Sequence, residues 1–140
     1  MANLPSNADG RGGPATACRV LVVDGNRDAA DSTAMLLRMY GYEALQAYTA
    51  ASALELARIF RPHVILSEMI LGDLGGCGLA HLLGHELPQA ALVALTGLGG
   101  ERDRIRSREA GFSYHLVKPA KIDRLMEVLE RAGATATTGP

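Results

Sequence analysis

Four side chains of the kinds that handle phosphate and divalent metal sit at the ends of short apolar runs. Asp24 closes "RVLVVD", Glu68 closes "HVILSE", Thr96 closes "AALVALT" and Lys118 follows "YHLV". Carboxylates hold Mg²⁺, while a hydroxyl and an ammonium donate to phosphate oxygens. Taken singly, each has an ordinary explanation. Asp24 suits a helix cap, Thr96 a β-branched residue that opens the next turn, and Lys118 before Pro119 a solvated loop charge. Glu68 is harder to account for, because an acid ending the most apolar run must be paired or lie at an open edge. The signal is the joint placement, and it has meaning only if the fold brings the four ends together.

The pattern between these residues supplies such a fold. Apolar, β-branched runs alternate five times with helical periodicities. "NRDAADSTAMLLRMYG" carries Ala30, Ala34 and Leu37 at helical spacing and stops at Gly41. "YEALQAY" is a weaker strand. "TAASALELARIF" starts at a Thr49 cap, puts Ala53, Ala57 and Phe60 on one face, and breaks at Pro62. "GLAHLLGHEL" reads as a helix with Leu79, Leu82 and Leu83 inward, and "ERDRIRSREAG" as a very polar helix closed by Gly111. "KIDRLMEVLERA" aligns Ile122, Leu125, Met126 and Leu129. Strands apolar on both faces and separated by helices require a parallel sheet between helix layers, and right-handed crossovers reduce the choices to a doubly wound α/β sheet. The expected strand order is 2-1-3-4-5, flavodoxin-like, with a site at the carboxyl ends of strands 1 and 3.

Composition bounds the rest. The 140 residues suit one domain, expected over 18–132, with a flexible amino-terminal tail over 1–17 and a carboxyl-terminal one over 133–140. A net charge of −1 with 48% hydrophobic and 21% charged residues points to neither a nucleic-acid nor a membrane binder. The apolar runs are strand-sized, and the first 17 residues lack the apolar centre of a signal peptide. The two cysteines, Cys18 and Cys77, show no CxxC spacing, which fits a reduced, cytoplasmic protein.

With the four strand ends in view, the sequence resembles the receiver domains of two-component response regulators, the CheY-like superfamily, over residues 19–131. The resemblance rests on "VLVVDGNRDAADS", "RPHVILSEMILGDLGG", "ALTG" and "AGFSYHLVKP" together, and is similar in kind to the receivers of bacterial hybrid sensor kinases. It implies that a phosphoryl group moves from a histidine of a partner kinase to an aspartate ending strand 3. It also implies that an acidic pair ending strand 1 helps to hold Mg²⁺, and that a hydroxyl and a lysine bind the phosphoryl oxygens. By motif, Glu68 stands at the phosphoacceptor position, Asp24 at the first acid, Thr96 at the switch hydroxyl, Lys118 at the lysine, and His115 at a switch position that is often aromatic. The implied partners are a histidine kinase and a downstream effector. The surface of the fourth helix, fifth strand and fifth helix is the implied output face and a possible homodimer face.

The departures strike the chemistry. Gly25 replaces the second acid, which lowers the negative charge available to Mg²⁺, so metal at Asp24 and Glu68 is expected to be weak or absent. The extra methylene of Glu68 moves its oxygens by roughly 1 Å, a displacement that can cost on the order of 10²-fold where in-line geometry matters. Gly72 stands where the family usually has a proline, so a more mobile loop is expected. The leading expectation is an atypical receiver that accepts no phosphate, acts through protein contacts and turns over no substrate; a hypothesis within it has Glu68 imitate the phosphorylated acid by reaching Lys118 or Thr96. The alternatives are slow Mg²⁺-dependent phosphorylation at Glu68 or a nearby acid such as Asp73, and a small-ligand sensor holding an anion or metabolite between Lys118 and Arg27.

Two further clusters weigh less. Cys77, His81 and His85 recur at i+4 steps, as Zn²⁺ ligands on one helix face would, but without a fourth ligand, and Cys77 can equally precede the helix. Arg102, Arg104, Arg106 and Arg108 crowd one helix, diluted by Glu101, Asp103 and Glu109, so a solvated face is expected rather than a nucleic-acid surface. They are the first candidates for a protein contact.

Overall fold

The computed structural model describes residues 17–137, and the expected amino-terminal tail lies almost wholly outside them. Five strands alternate with five helices in the order β1 (Arg19–Val23), α1 (Arg27–Met39), β2 (Glu43–Ala47), α2 (Ala50–Phe60), β3 (Val64–Ser67), α3 (Gly76–Glu86), β4 (Ala91–Thr96), α4 (Glu101–Ala110), β5 (Tyr114–Val117) and α5 (Ile122–Thr137). The strands form one all-parallel sheet in the order β2-β1-β3-β4-β5, as the alternation of runs requires.

Alternation along each strand divides the core between two layers. Leu21, Val23, Ile65 and Ala94 pack with Ala53 and Ala57 of α2 and Leu79 and Leu83 of α3. Val20, Val22, Leu66 and Val93 face the other way, onto Ala30, Ala34 and Leu37 of α1 and Leu125, Val128 and Leu129 of α5. Because the central strands are buried on both faces, their sequences read as unbroken apolar runs.

Local signals set the helix ends. The Asn26 side chain accepts from Ala29 N–H at 3.1 Å to start α1, and Thr49 accepts from Ser52 N–H at 3.1 Å to start α2. Three expectations need correction. Leu82 is 36% exposed rather than inward, because it lies beside rather than on the Leu79–Leu83 stripe. Cys77 lies inside α3, which begins at Gly76, and packs against the core. Helix α5 runs through Gly133 to Thr137, past the expected end at Ala132, with Ala132 and Gly133 both buried.

Glycine is demanded at Gly76. A Cβ there would stand 2.2 Å from the Glu68 carbonyl oxygen, so only glycine lets α3 start against the end of β3. By contrast, Gly72 has an ordinary φ and open space where a Cβ would be, so neither sterics nor backbone requires it.

Candidate functional site

The parallel ladders continue one bond past each strand and thereby fix the site residues in register. Asp24 N–H donates to Ala47 O at 3.1 Å, Glu68 N–H to Val23 O at 2.9 Å, and Lys118 N–H to Thr96 O at 2.8 Å. Asp24, Glu68, Thr96 and Lys118 therefore emerge together at the carboxyl edge of the sheet, where the strand order reverses at β1 and β3. Asp24 and Glu68 are buried, Thr96 fully so, and Lys118 is half-buried.

Lys118 organises the crevice. Its Nζ lies 2.6 Å from Asp24 Oδ2 and 3.0 Å from Glu68 Oε1, bridging two carboxylates. The other oxygens are also engaged. Asp24 Oδ1 accepts from Asn26 N–H at 2.9 Å, and Glu68 Oε2 accepts from Met69 N–H at 2.7 Å and Ile70 N–H at 3.2 Å. Thr96 lies close enough to Glu68 to favour its charged form, while the Thr96 Oγ1 accepts from Leu98 N–H at 3.2 Å. A peptide bond in the cis form joins Lys118 to Pro119.

The electrostatics follow from these contacts. Burial pushes the Glu68 carboxyl up, but hydrogen bonds from Thr96, Lys118 and Ile70 N–H outweigh it and hold the group below the ordinary carboxylate range. Burial likewise opposes the charge on Lys118, and the two carboxylates outweigh it and raise the ammonium above its usual value. The crevice thus sets one ammonium between two carboxylates, with Glu68 and Lys118 each stabilised in the charged form.

At position 25 the chain bears no side chain, although an acid would fit. A Cβ on Gly25 would meet only Tyr48 O, at an ordinary 3.8 Å, and φ there is not left-handed. The missing acid is not a backbone requirement. Mg²⁺ favours an octahedral shell of oxygens. Here an ammonium occupies one oxygen of each carboxylate, and among the described residues no three acidic, imidazole or thiol groups converge on one point. The donor set does not fit a resident Mg²⁺ without displacement of Lys118.

His115 lies apart from the four. It connects β5 to the loop after Thr96, with Nε2 2.7 Å from Leu98 O and Nδ1 2.8 Å from Ser107 Oγ of α4. A carbonyl only accepts, so Nε2 carries the proton. Sequence reasoning missed Ser107, the one buried residue of α4, whose signal was the single uncharged polar residue in a helix of mostly charged ones.

Asp73 and Arg27 are committed elsewhere. Asp73 accepts from Ala50 and Ala51 N–H, both at 3.0 Å, and so caps α2 from a distant loop; these bonds hold its carboxyl below the usual range. Arg27 stacks over the Tyr48 ring at 4.2 Å. Asp73→Ala is expected to lower Tm by a few degrees at neutral pH, through loss of two charge-assisted capping bonds. Because the folded Asp73 carboxyl is depressed, that loss should shrink as pH falls through its titration. Thermal unfolding against pH measures both effects. His81 and His85 contact each other edge-to-face, ring centroids 5.0 Å apart, and Cys77 does not join them in a metal cluster.

A doubly wound parallel sheet with acids at the ends of β1 and β3 and a lysine after β5 defines the class of receiver-type signalling domains. The response regulator receiver domain family matches residues 20–130, and the chain belongs to it. It is 35% identical over 120 residues to the probable transcriptional regulatory protein TcrX of Mycobacterium tuberculosis, covering 83% of this chain and 51% of that protein. It is 27% identical to the polar-differentiation response regulator DivK of Brucella anthropi, covering 79% and 92%. The CheY-like receiver domain protein of Methanospirillum hungatei superposes with a TM-score of 0.79 at 26% identity, covering 88% and 99%. The chain spans about half the length of TcrX and of the similar PrrA regulators.

Proposed function

We propose that this receiver signals through protein contacts, with its crevice held in one state by its own side chains instead of by Mg²⁺ and a phosphoryl group. The observation that carries the reading is the Lys118 ammonium seated between Asp24 Oδ2 and Glu68 Oε1. The longer Glu68 carboxylate reaches both Lys118 and Thr96, the two groups expected to bind phosphoryl oxygens, and so stands in for a phosphorylated acid. Mg²⁺ binding is weak or absent in this reading, because the ion must evict an ammonium and finds no acid at Gly25. Turnover of a substrate is not part of the function.

The alternatives have less support. Asp73 as a phosphoacceptor would have to abandon the α2 amino terminus. An anion held by Lys118 and Arg27 would compete with two carboxylates for the first and with the Tyr48 ring for the second.

Contacts are assigned to the face of α4, β5 and α5, where Arg102, Arg106 and Arg108 are exposed and Arg104 lines a groove with Lys121 and Arg124. The partner is a histidine kinase, a downstream effector or a second copy of the chain, in the cytoplasm. No described helix is long and apolar enough to cross a membrane. The test is the intact mass of the protein after incubation with Mg²⁺ and a small phosphodonor. No gain in mass is expected, and a phosphoryl adduct on any carboxylate would overturn the reading.

A further inference from the structure

The amino-terminal edge of the sheet, opposite the crevice, carries a second concentration of charge. Arg61 ends α2 with φ 52, the one non-glycine residue in the left-handed region among the described residues. Helices favour glycine at such a position, and a residue with a Cβ is strained there. An outlier of this kind calls for a reason in what the side chain does.

Its surroundings supply cationic and N–H donors and no carboxylate. Arg19 directs Nε to the carbonyls of Phe60 and Arg61, both at 3.0 Å, and Nη2 to Arg61 O at 2.7 Å, so its guanidinium is bonded to carbonyls and meets no carboxylate. The Arg61 guanidinium has no hydrogen bond or ion pair with a described residue. His63 Nδ1 accepts from Arg19 N–H at 2.9 Å, which places the ring proton on Nε2. Burial and then the charge of Arg19 hold the imidazole below its ordinary value, against the opposite pull of Glu43, so the ring is neutral at pH 7 and still a donor. These groups line a groove of about 290 Å³ with Gln89, over an apolar floor of Pro62 and Leu87, and no acidic side chain lines it.

We propose that this groove binds a phosphate-class oxyanion, either the free ion or the phosphate of a small phosphomonoester, through the Arg19 and Arg61 guanidinium groups and His63 Nε2–H. One guanidinium tethered by carbonyls, Arg19, a second left without a partner among the described residues, Arg61, and a neutral N–H donor match the charge and hydrogen-bonding needs of a phosphate. The polar wall suits the oxyanion and the apolar floor suits a carrier group. The site stands or falls independently of the crevice, from which it is separated by the length of the sheet.

The test is thermal unfolding of the whole chain at constant ionic strength near neutral pH, with orthophosphate, adenosine monophosphate or chloride added. A ligand bound to the folded state raises Tm. Orthophosphate is expected to raise Tm and chloride to leave it unchanged. A larger shift with the monophosphate ester identifies the ligand as a phosphomonoester, and an equal or smaller one identifies the free ion. Arg61→Gly removes the guanidinium from a position where glycine is the preferred residue. This variant should keep or raise the ligand-free Tm while losing the phosphate shift. A shift that survives Arg61→Gly, or none in the parent, would overturn the proposal.

Discussion

A Gly25→Asp, Glu68→Asp double variant is expected to gain one phosphoryl group from a small phosphodonor in the presence of Mg²⁺, under conditions where the parent gains none. The first substitution restores a third carboxylate at the metal position, and the backbone already accepts it. A Cβ at Gly25 meets only Tyr48 O at 3.8 Å. The second withdraws the carboxyl from the Lys118 ammonium, 3.0 Å from Glu68 Oε1 in the parent, and frees oxygens for metal and phosphoryl. A retraction of roughly 1 Å restores in-line geometry, which is worth on the order of 10²-fold in rate, and the added acid strengthens Mg²⁺ binding on top of that. Intact mass resolves the outcome. A variant as inert as the parent, while still folded and able to bind Mg²⁺, would mean that residues other than 25 and 68 block phosphotransfer.

Lys118→Met is expected to be the most destabilising single change in the crevice, at about 3 kcal/mol. Removal of one partner from a buried ionic cluster typically costs about 3–5 kcal/mol, because the remaining charges lie uncompensated in a poor solvent. The low end applies, since the lysine side chain is 31% exposed. Two carboxylates would then face each other across the space that Nζ filled.

The pH dependence has a definite sign. Glu68 is depressed in the folded state, so its contribution is complete above the ordinary carboxyl value of roughly 4.3 and is lost as pH falls through the folded value. Lys118 is raised, so its contribution is complete below roughly 10.4 and is lost as pH climbs through the folded value. The stability gap between parent and variant should therefore be widest between about pH 5 and 10 and narrow at either extreme. Denaturant unfolding across that range measures it. A gap that is constant down to about pH 3 would show that Lys118 acts by packing its methylenes rather than by its charge. A Glu68→Gln, Lys118→Met pair should cost less than the sum of its single changes, because neither leaves the other's charge behind.

Much of this architecture is legible in local pattern. Runs such as "VLVV" in β1 and "VIL" in β3 are apolar at every position because both faces of these strands are covered, and that alone implies a parallel sheet between helix layers. Once the strands are parallel, every strand delivers its last residue to the same edge, so the meeting of Asp24, Glu68, Thr96 and Lys118 follows from topology without any distance being known. The Thr49 cap is equally local, since a cap oxygen and the backbone N–H that donates to it lie within one turn.

Long-range partner choice follows a different physics. That Lys118 bridges two acids instead of entering solvent depends on the separation of β1, β3 and β5 across a twisted sheet, and no spacing in the chain encodes it. Asp73 reads as a spare acid beside Glu68 until the loop is seen to carry it to the amino terminus of α2, 23 residues back in the chain. Ser107 and Gly76 matter because of what stands opposite them, His115 in one case and the Glu68 carbonyl in the other. Periodicity reports how deeply a residue is buried, because burial averages over many neighbours; pairing is a matter of single distances near 3 Å, and those exist only after the helices have packed on the sheet.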